Sequence, residues 1–323
     1  SNSSAASDVY KRQVVCAIAV AVFLLVVPPR APTVRAAVIC WAFCASIVLR
    51  RHSNPVNTLS LAAVILLLIR PTQLFEAGWQ LSFACVLAII LFTERIEAFI
   101  REQARRTDLR LRLFDIAGPI ATRLFAAGLA ALLGGAGILL YHFYAITLLT
   151  SIWTILVFPL VSAILGLGFL KVILFFVLPT LSGLLGVVVG PLSSFLILVV
   201  RLIAKLDISQ ILIGRVSIVA IIAYYCAVVF AGYANFRRPA IKRLICAGMF
   251  LSLALYLGVL KYQRTYRDDL VVTCRDVGHG QAILARLPGG TDILFDAGSL
   301  HGSNVGARIV TPFLDYQGIG GID

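Results

Sequence analysis

Residues 271–298 have the sequence VVTCRDVGHGQAILARLPGGTDILFDAG, in which short apolar runs alternate with glycine-rich turns. The second apolar run spans 282–287, and the third ends in Asp-Ala-Gly at 296–298. Short apolar runs bounded by Gly and Pro predict strands of one sheet. We expect the first strand to reach residue 276. We also expect Asp-Ala-Gly to lie at the carboxyl end of its strand, where the chain leaves the sheet.

This stretch resembles the start of the metallo-β-lactamase-like domain of the ComEC competence family. The resemblance rests on Asp-Val-Gly-x-Gly at 276–280 and on Asp-Ala-Gly, and residues 310–314 and 318–323 look like the segment that follows in the family. His279 and Gln281 stand where the family has Gln and Asp. The matching positions, to which the resemblance gives structural or metal-supporting roles, are Asp276, Gly278, Gly280, Asp296 and Gly298.

The resemblance implies a domain in which a His/Asp cluster binds one or two metal ions. Zinc or another divalent metal is therefore expected only in the full-length domain, where it would lower the pKa of a bound water. Asp296 is expected to support the metal-binding loop by accepting hydrogen bonds. The 323 residues lack the ligand motif, so we predict no catalytic residue, no metal site and no nuclease activity for this fragment itself.

The composition of the whole chain is typical of a polytopic membrane protein. Hydrophobic residues make up 60 % and charged residues 13 % of the chain, whereas soluble domains average about half apolar and about a quarter charged. The net charge of +13 is attributed mainly to cytoplasmic loops rather than to nucleic-acid binding. The seven cysteines form no Cys-x-x-Cys motif and predict neither a disulfide framework nor a zinc site.

The predicted fold class is a polytopic α-helical membrane bundle followed by the first β-strands of a truncated metallo-β-lactamase-like αβ domain. Residues 1–13 are interpreted as a polar, non-native lead-in. Residues 14–262 are interpreted as a transmembrane domain of about 8–10 helices, and residues 268–323 as the incomplete soluble domain. Within the bundle, 93–114 interleaves apolar residues with six arginines and predicts an amphipathic helix on the cytoplasmic surface. The C-terminal strands would then lie outside the cytoplasm.

Two membrane segments also resemble the competence family. Asn-Pro at 54–55 and Gln-Leu-Ser-Phe at 80–83 match one pattern, and Pro-Leu-Val-Ser at 159–162 matches another, in which the family's Asn falls on Thr154. Polar groups at membrane depth usually face a bundle interior or a water-filled path. The candidate pore or broken-helix residues are therefore Gln80, Ser82, Thr154 and Pro159.

Charged and aromatic residues beside the apolar segments admit two interpretations. Glu76 is expected near the membrane interface, at the positive N-terminal end of a helix. Tyr141 and His142 fit either a transport path or an interfacial aromatic belt. Four arginines fit membrane-interface anchors, the favoured interpretation, or a cationic rim for single-stranded DNA, namely Arg35, Arg50, Arg51 and Arg70.

Three functional hypotheses remain at this point. The resemblance favours an inner-membrane channel for uptake of single-stranded DNA in natural transformation, whose external domain degrades the non-transported strand. Its expected partners are single-stranded DNA, the lipid bilayer, a DNA receptor and an ATP-driven translocation component, and homo-oligomerisation is left open. The alternatives are a membrane-anchored metallo-hydrolase, disfavoured by the many helices, and a small-solute transporter, for which no P-loop or Rossmann fingerprint is present.

Overall fold

The computed structural model describes residues 2–26, 30–48, 54–106, 118–147, 149–205, 211–234, 239–266, 268–277, 279–299 and 305–322. Within these ranges nine α-helices precede the C-terminal strands: α1 Asn2–Val26, α2 Ala31–Val48, α3 Pro55–Ile69, α4 Ala77–Arg106, α5 Gly118–Phe143, α6 Thr150–Val177, α7 Pro179–Ala204, α8 Ile218–Tyr233 and α9 Pro239–Thr265. A 3₁₀ turn at Pro71–Phe75 links α3 to α4.

Five of these helices, α2, α5, α6, α7 and α9, are long and apolar enough to cross a membrane. Shorter apolar helical stretches lie in α1, α3 and α8. The helical membrane bundle predicted from the composition is therefore confirmed, and the chain is a multi-pass membrane protein.

Local sequence explains where two of the helices begin. The Asn54 side chain accepts a hydrogen bond from the N–H of Val56 at 3.0 Å, and Pro55 occupies the first turn of α3. The Ser217 hydroxyl likewise accepts from the N–H of Val219 at 3.3 Å at the start of α8. Each cap satisfies an N–H group that has no partner inside the helix. The Asn-Pro motif is therefore a helix start.

Two helices extend past the boundaries expected from polarity. Helix α4 continues without interruption from its apolar part to Arg106, so residues 93–106 prolong that helix and do not form a separate one. Residues 107–114 of the expected surface helix lie outside the described part. Helix α1 begins at Asn2, so 2–13 of the polar lead-in is helical. No Gly or Pro interrupts 79–106 or 2–26, which explains why both helices continue.

Helices α4 and α5 approach closely because small residues face each other. A Cβ atom placed on Gly134 of α5 would lie 2.6 Å from the carbonyl oxygen of Ala84 and 2.6 Å from the Cβ of Ala88. Ala130, one turn earlier on α5, is fully buried. Small residues are the usual means by which membrane helices bring their backbones together.

Gly134→Ala is expected to destabilise the protein by about 1–3 kcal/mol, the usual cost of over-packing, because helix backbone would have to move. Gly166→Ala on α6 is the matched control, since a Cβ there meets nothing within 4 Å. The control should be neutral or stabilising by up to about 1 kcal/mol, because Ala favours a helix over Gly. Thermal unfolding midpoints in detergent solution compare the two, and equal midpoints would contradict the close approach.

The helices define two ends of the bundle. At one end, Arg35 of α2 lies beside the start of α4, and Gln80 contacts the last turn of α5. Strand β1, Ala145–Ile146, follows α5 there and pairs with β2, Ile211–Leu212. Helix α9 also finishes at this end, which we call the sheet end because the C-terminal sheet adjoins it. We call the opposite end, where Arg95 of α4 donates a hydrogen bond to the carbonyl of Gly232, the basic end.

The C-terminal part is a three-stranded antiparallel meander, β3 Val271–Cys274, β4 Gly280–Arg286 and β5 Asp292–Ser299, in the order β3-β4-β5. A π-helical turn at Gly306–Val310 and helix α10, Thr311–Gln317, follow it. Buried side chains from these elements form one small core, namely Val277, Ala282, Val305 and Val310. The strands expected from the glycine-bounded runs are present, but a meander with one short helix does not by itself define a metallo-β-lactamase fold.

Candidate functional site at the sheet end

Gln80 connects three parts of the chain at the sheet end. Its Nε2 donates to the carbonyl oxygen of Leu74 in the 3₁₀ turn at 2.9 Å, and its Oε1 lies 3.0 Å from Nε2 of His142. Because an amide oxygen only accepts, His142 Nε2 is the donor in this pair. Gln80 lies in the first turn of α4 and His142 in the last turn of α5. The pair therefore fixes the relative position of two helix ends.

The other candidate pore residues do not join Gln80. Ser82 is half-buried on α4, and a separation of two residues turns its side chain to another face of the helix. Thr154 is half-buried and Pro159 is exposed, both on α6. Helix α6 runs through Pro159 from Thr150 to Val177, so the expected break is not seen. A single interior proline removes only one backbone hydrogen bond, and such a helix can continue past it with a kink.

Arg35 is buried between α2 and α4. Its side chain is 5 % exposed, its Nε has no hydrogen-bond partner, and its Nη1 lies 4.0 Å from Oε2 of the half-exposed Glu76. A Cβ on Gly78 would lie 2.9 Å from Nη2, so the glycine leaves room for the guanidinium. The anchor interpretation favoured from the sequence is wrong for Arg35, because an interface anchor keeps its charged group in water. Arg70 is exposed, and Arg50 and Arg51 lie outside the described residues.

Arg264, in the last turn of α9, joins the bundle to the C-terminal sheet. Its Nη1 donates to the carbonyl oxygen of Ile213 at 2.7 Å, and its Nη2 donates to that of Arg215. The backbone carbonyl of Arg264 accepts from Nη2 of Arg286 in β4 at 3.0 Å. One arginine therefore contacts the loop after β2 and the first hairpin of the sheet.

Helix α10 contacts the same loop. The backbone N–H of Arg215 donates to the carbonyl oxygen of Tyr316 at 3.0 Å, and Nη1 of the Arg215 side chain donates to the Tyr316 hydroxyl at 2.7 Å. Gly214 and Gly318 have φ angles of +81° and +78°, and a Cβ on Gly318 would lie 2.9 Å from the carbonyl oxygen of Ile213. Two positive-φ glycines are needed because the two backbones leave no space for side chains.

The Asp-Ala-Gly motif lies inside β5, not at its end as expected. Pairing shifts from Ile283–Phe295 to Gln281–Gly298, so two residues of β5 oppose one residue of β4 in a bulge. Asp296, in the bulge, has a φ of +54°. Its Oδ1 accepts hydrogen bonds from the N–H groups of Ala297 at 2.7 Å and Gly298 at 2.9 Å. The carboxylate thus stabilises its own turn, and its support of a metal-binding loop stays a prediction.

The remaining motif residues flank the first turn of the meander. Strand β3 ends at Cys274, two residues before the expected boundary at Asp276, which is exposed. Gly280 opens β4 opposite Ser299. Gly278 lies outside the described residues. The structure therefore places Asp276 and Gly280 on either side of the turn between β3 and β4.

No metal centre is formed by the described residues of the C-terminal part, because no three His, Cys, Asp or Glu side chains there bring their donor atoms together. The described residues of this part do not fit the metal that the resemblance implies. A cluster that was not expected from the sequence lies in the described part of the bundle, where the Sγ atoms of Cys16, Cys40 and Cys44 lie within 4.8 Å of one another. The spacing of four residues between Cys40 and Cys44, which puts both on one helix face, was the available signal.

The architecture is that of a multi-pass helical membrane protein whose bundle is joined at one end to an antiparallel sheet. The chain belongs to the competence protein family, whose model, described as "Competence protein", matches residues 5–238. It is 23 % identical over 309 residues to "ComE operon protein 3" of Bacillus subtilis (strain 168), an alignment that covers 91 % of this chain and 37 % of the relative. The chain thus spans little more than a third of that relative's length, and no solved structure matches it significantly.

Proposed function

We propose that this chain forms the membrane channel through which single-stranded DNA enters the cell during natural transformation. The observation that carries the proposal is the family match over residues 5–238, which covers α1 to α8. The resemblance noted in the sequence, now supported by the match and by the relative, concerns a DNA-uptake protein. The activity, substrate and partners of the longer protein are part of the proposal.

The proposed orientation puts the sheet end outside the cell membrane. Helix α4 runs towards the basic end with Arg101, Arg105 and Arg106 in its sequence, and the sequence after α8 contains an arginine-rich stretch at 237–243. Cytoplasmic loops carry the excess of Lys and Arg in inner-membrane proteins. With the basic end in the cytoplasm, the strands after α9 lie on the external face.

Polar and cationic groups at the sheet end support an entrance there. A path for single-stranded nucleic acid needs positive charge for the backbone and aromatic surfaces for the bases. Arg35 and Arg70 supply charge at this end, and the exposed Tyr141 offers an aromatic face beside His142. The Gln80–His142 pair holds together the ends of α4 and α5, and the end of α5 carries Tyr141 and His142.

The proposal assigns the C-terminal meander to the start of an external metallo-β-lactamase-like domain that degrades the non-transported strand. Support comes from the Asp276 and Asp296 motifs and from the bulge in β5, since bulges are common beside active sites. The metal ligands are assigned to the part of the longer relative that this chain does not cover. A DNA receptor and an ATP-driven partner complete the proposal, because the chain has no nucleotide-binding motif.

Uptake of labelled DNA in the bacterium that encodes the protein tests the proposal. Deletion should abolish nuclease-resistant uptake, and Gln80→Leu should lower it about ten- to thirty-fold, because two hydrogen bonds worth about 1 kcal/mol each are lost. Gln263→Leu is the matched control, since Gln263 is an exposed glutamine of α9 near the same end. Undiminished uptake in the deletion strain would exclude the channel function.

A further inference from the structure

We propose that the sheet end binds one phosphodiester group of a single DNA strand, at Arg35 and the first turn of α4. The inference rests on the proposed function and adds to it the position of the site and the group recognised. The contacting groups are the Arg35 guanidinium and the backbone N–H groups of Ala77 and Gly78. Gln80, which pairs with His142, lies in the same first turn of α4.

The charge at this position calls for an anion. Arg35 lies in the second turn of α2 and against the first turn of α4, so its cationic group lies beside the positive ends of two helix dipoles. Each helix N-terminus acts as about +0.5 charge, and a cation there is unfavourable. The charges of the guanidinium and of the two helix N-termini sum to about +2. The negative charge of the Glu76 carboxylate reduces this sum to about +1. One phosphodiester, with a single negative charge, balances that remainder.

The hydrogen bonding of Arg35 within the chain is incomplete. The Arg35 side chain is only 5 % exposed, yet its Nε has no hydrogen-bond partner. The distance of 4.0 Å between Nη1 of Arg35 and Oε2 of Glu76 is too long for a direct hydrogen bond. A buried donor without an acceptor is costly. A guanidinium offers five donors in a fork that fits two phosphate oxygens.

The first turn of α4 is open to such a ligand. The first N–H groups of a helix have no acceptor within the helix, and anions bind there readily. Gly78 is exposed and lacks a side chain that would cover the turn. Beneath it, Val34 and Trp79 pack on the buried cluster around Leu59 and Phe83.

Trp79 provides a direct measurement of binding, because it follows Gly78 and its ring centroid lies 4.5 Å from that of Phe83. In a Trp41→Phe, Trp153→Phe background it is the remaining tryptophan of the chain. This protein, in maltoside micelles free of phosphate, would be titrated with oligothymidylate of about ten nucleotides, a length within the range of single-strand sites. Parallel titrations use the uncharged methylphosphonate analogue and phosphatidylglycerol.

The charged oligonucleotide should give a saturable change in Trp79 fluorescence, and the methylphosphonate should give none. Arg35→Gln should weaken binding by at least about tenfold, because a charge-assisted bidentate contact is lost. Glu76→Gln should tighten it severalfold, because a competing carboxylate is removed, whereas a purely structural Arg35–Glu76 pair predicts no such gain. Lys261→Gln is the matched control, an exposed cation of α9 near the same end whose loss should leave the titration nearly unchanged.

Four outcomes overturn the inference: no saturable response to oligothymidylate, equal binding by the Arg35→Gln variant, no gain with Glu76→Gln, or saturation by phosphatidylglycerol alone. The last identifies a lipid-headgroup site. If Arg35→Gln does not fold, Glu76→Gln, with its half-exposed side chain, still decides the matter. The uptake assay is independent of this titration. Uptake that depends on the protein without a Trp79 response leaves the channel function standing and rejects only this site.

Discussion

Asp292→Ala is expected to destabilise the C-terminal sheet by about 3–5 kcal/mol, the cost of leaving a buried charge without its partner. Asp292 Oδ1 accepts from Nε of Arg286 at 2.8 Å, and the two side chains are 12 % and 9 % exposed. They lie directly opposite each other across β4 and β5. Without the carboxylate, Arg286 keeps its charge in a dry environment where Nη1 already lacks a partner.

Hydrogen exchange of the β4 amides in the detergent-solubilised chain measures this effect. Exchange should become faster by a factor of about a hundred or more. The double variant Arg286→Met with Asp292→Leu is the matched control, because replacing both charges by apolar groups is often close to neutral. Protection in Asp292→Ala equal to that of the native chain would show that water reaches this pair.

Arg264→Ala is expected to loosen the end of α9, and the sheet attached to it, from the loop after β2. Two carbonyl oxygens, of Ile213 and Arg215, would lose a charged donor, and hydrogen bonds to charged groups contribute about 1.5–3 kcal/mol each. The loss of about 3–6 kcal/mol should leave the helices and strands intact while their junction opens. Arg286 keeps its contact with the backbone carbonyl at 264, so the hairpin is expected to stay attached to the end of α9.

Pulsed electron-spin measurement of the distance between labels at Ser217 and Thr291 detects the opening. The native chain should give one narrow distance distribution and Arg264→Ala a broad one. Lys261→Ala is the matched control, an exposed cation one turn earlier on α9. A narrow distribution in both variants would mean that Tyr316 and the glycine contact hold the junction without the arginine.

The helices and strands were predictable from local sequence, because apolar length, caps and glycine-bounded runs act over a few residues. The Asn54 cap of α3 and the turns of the meander follow from such signals. The extension of α4 past Thr93 was also readable, since no residue there stops a helix. The charged residues after Thr93 predicted a helix boundary that the structure does not have.

The arrangement at the sheet end was not predictable in this way, because it depends on which helix ends meet. Gln80 and His142 are 62 residues apart, and nothing near either one specifies the other. The burial of Arg35 follows from the packing of α2 on α4, while its own neighbours resemble those of an interface anchor. The bulge at Asp296 depends on the register with β4, which is a property of the pair of strands.

Helix α4 has 30 residues, so it measures about 45 Å, well beyond the roughly 30 Å of a bilayer's hydrocarbon. Gln80 lies near one end, and towards the other Arg95 lies over the ring of Tyr233 at 4.1 Å. After Gly78 the helix contains neither Gly nor Pro, the residues at which long helices usually kink. A displacement of a few ångströms at Gln80 would be transmitted along the helix to Arg95 and to α8. The helix would in this way couple its two ends mechanically.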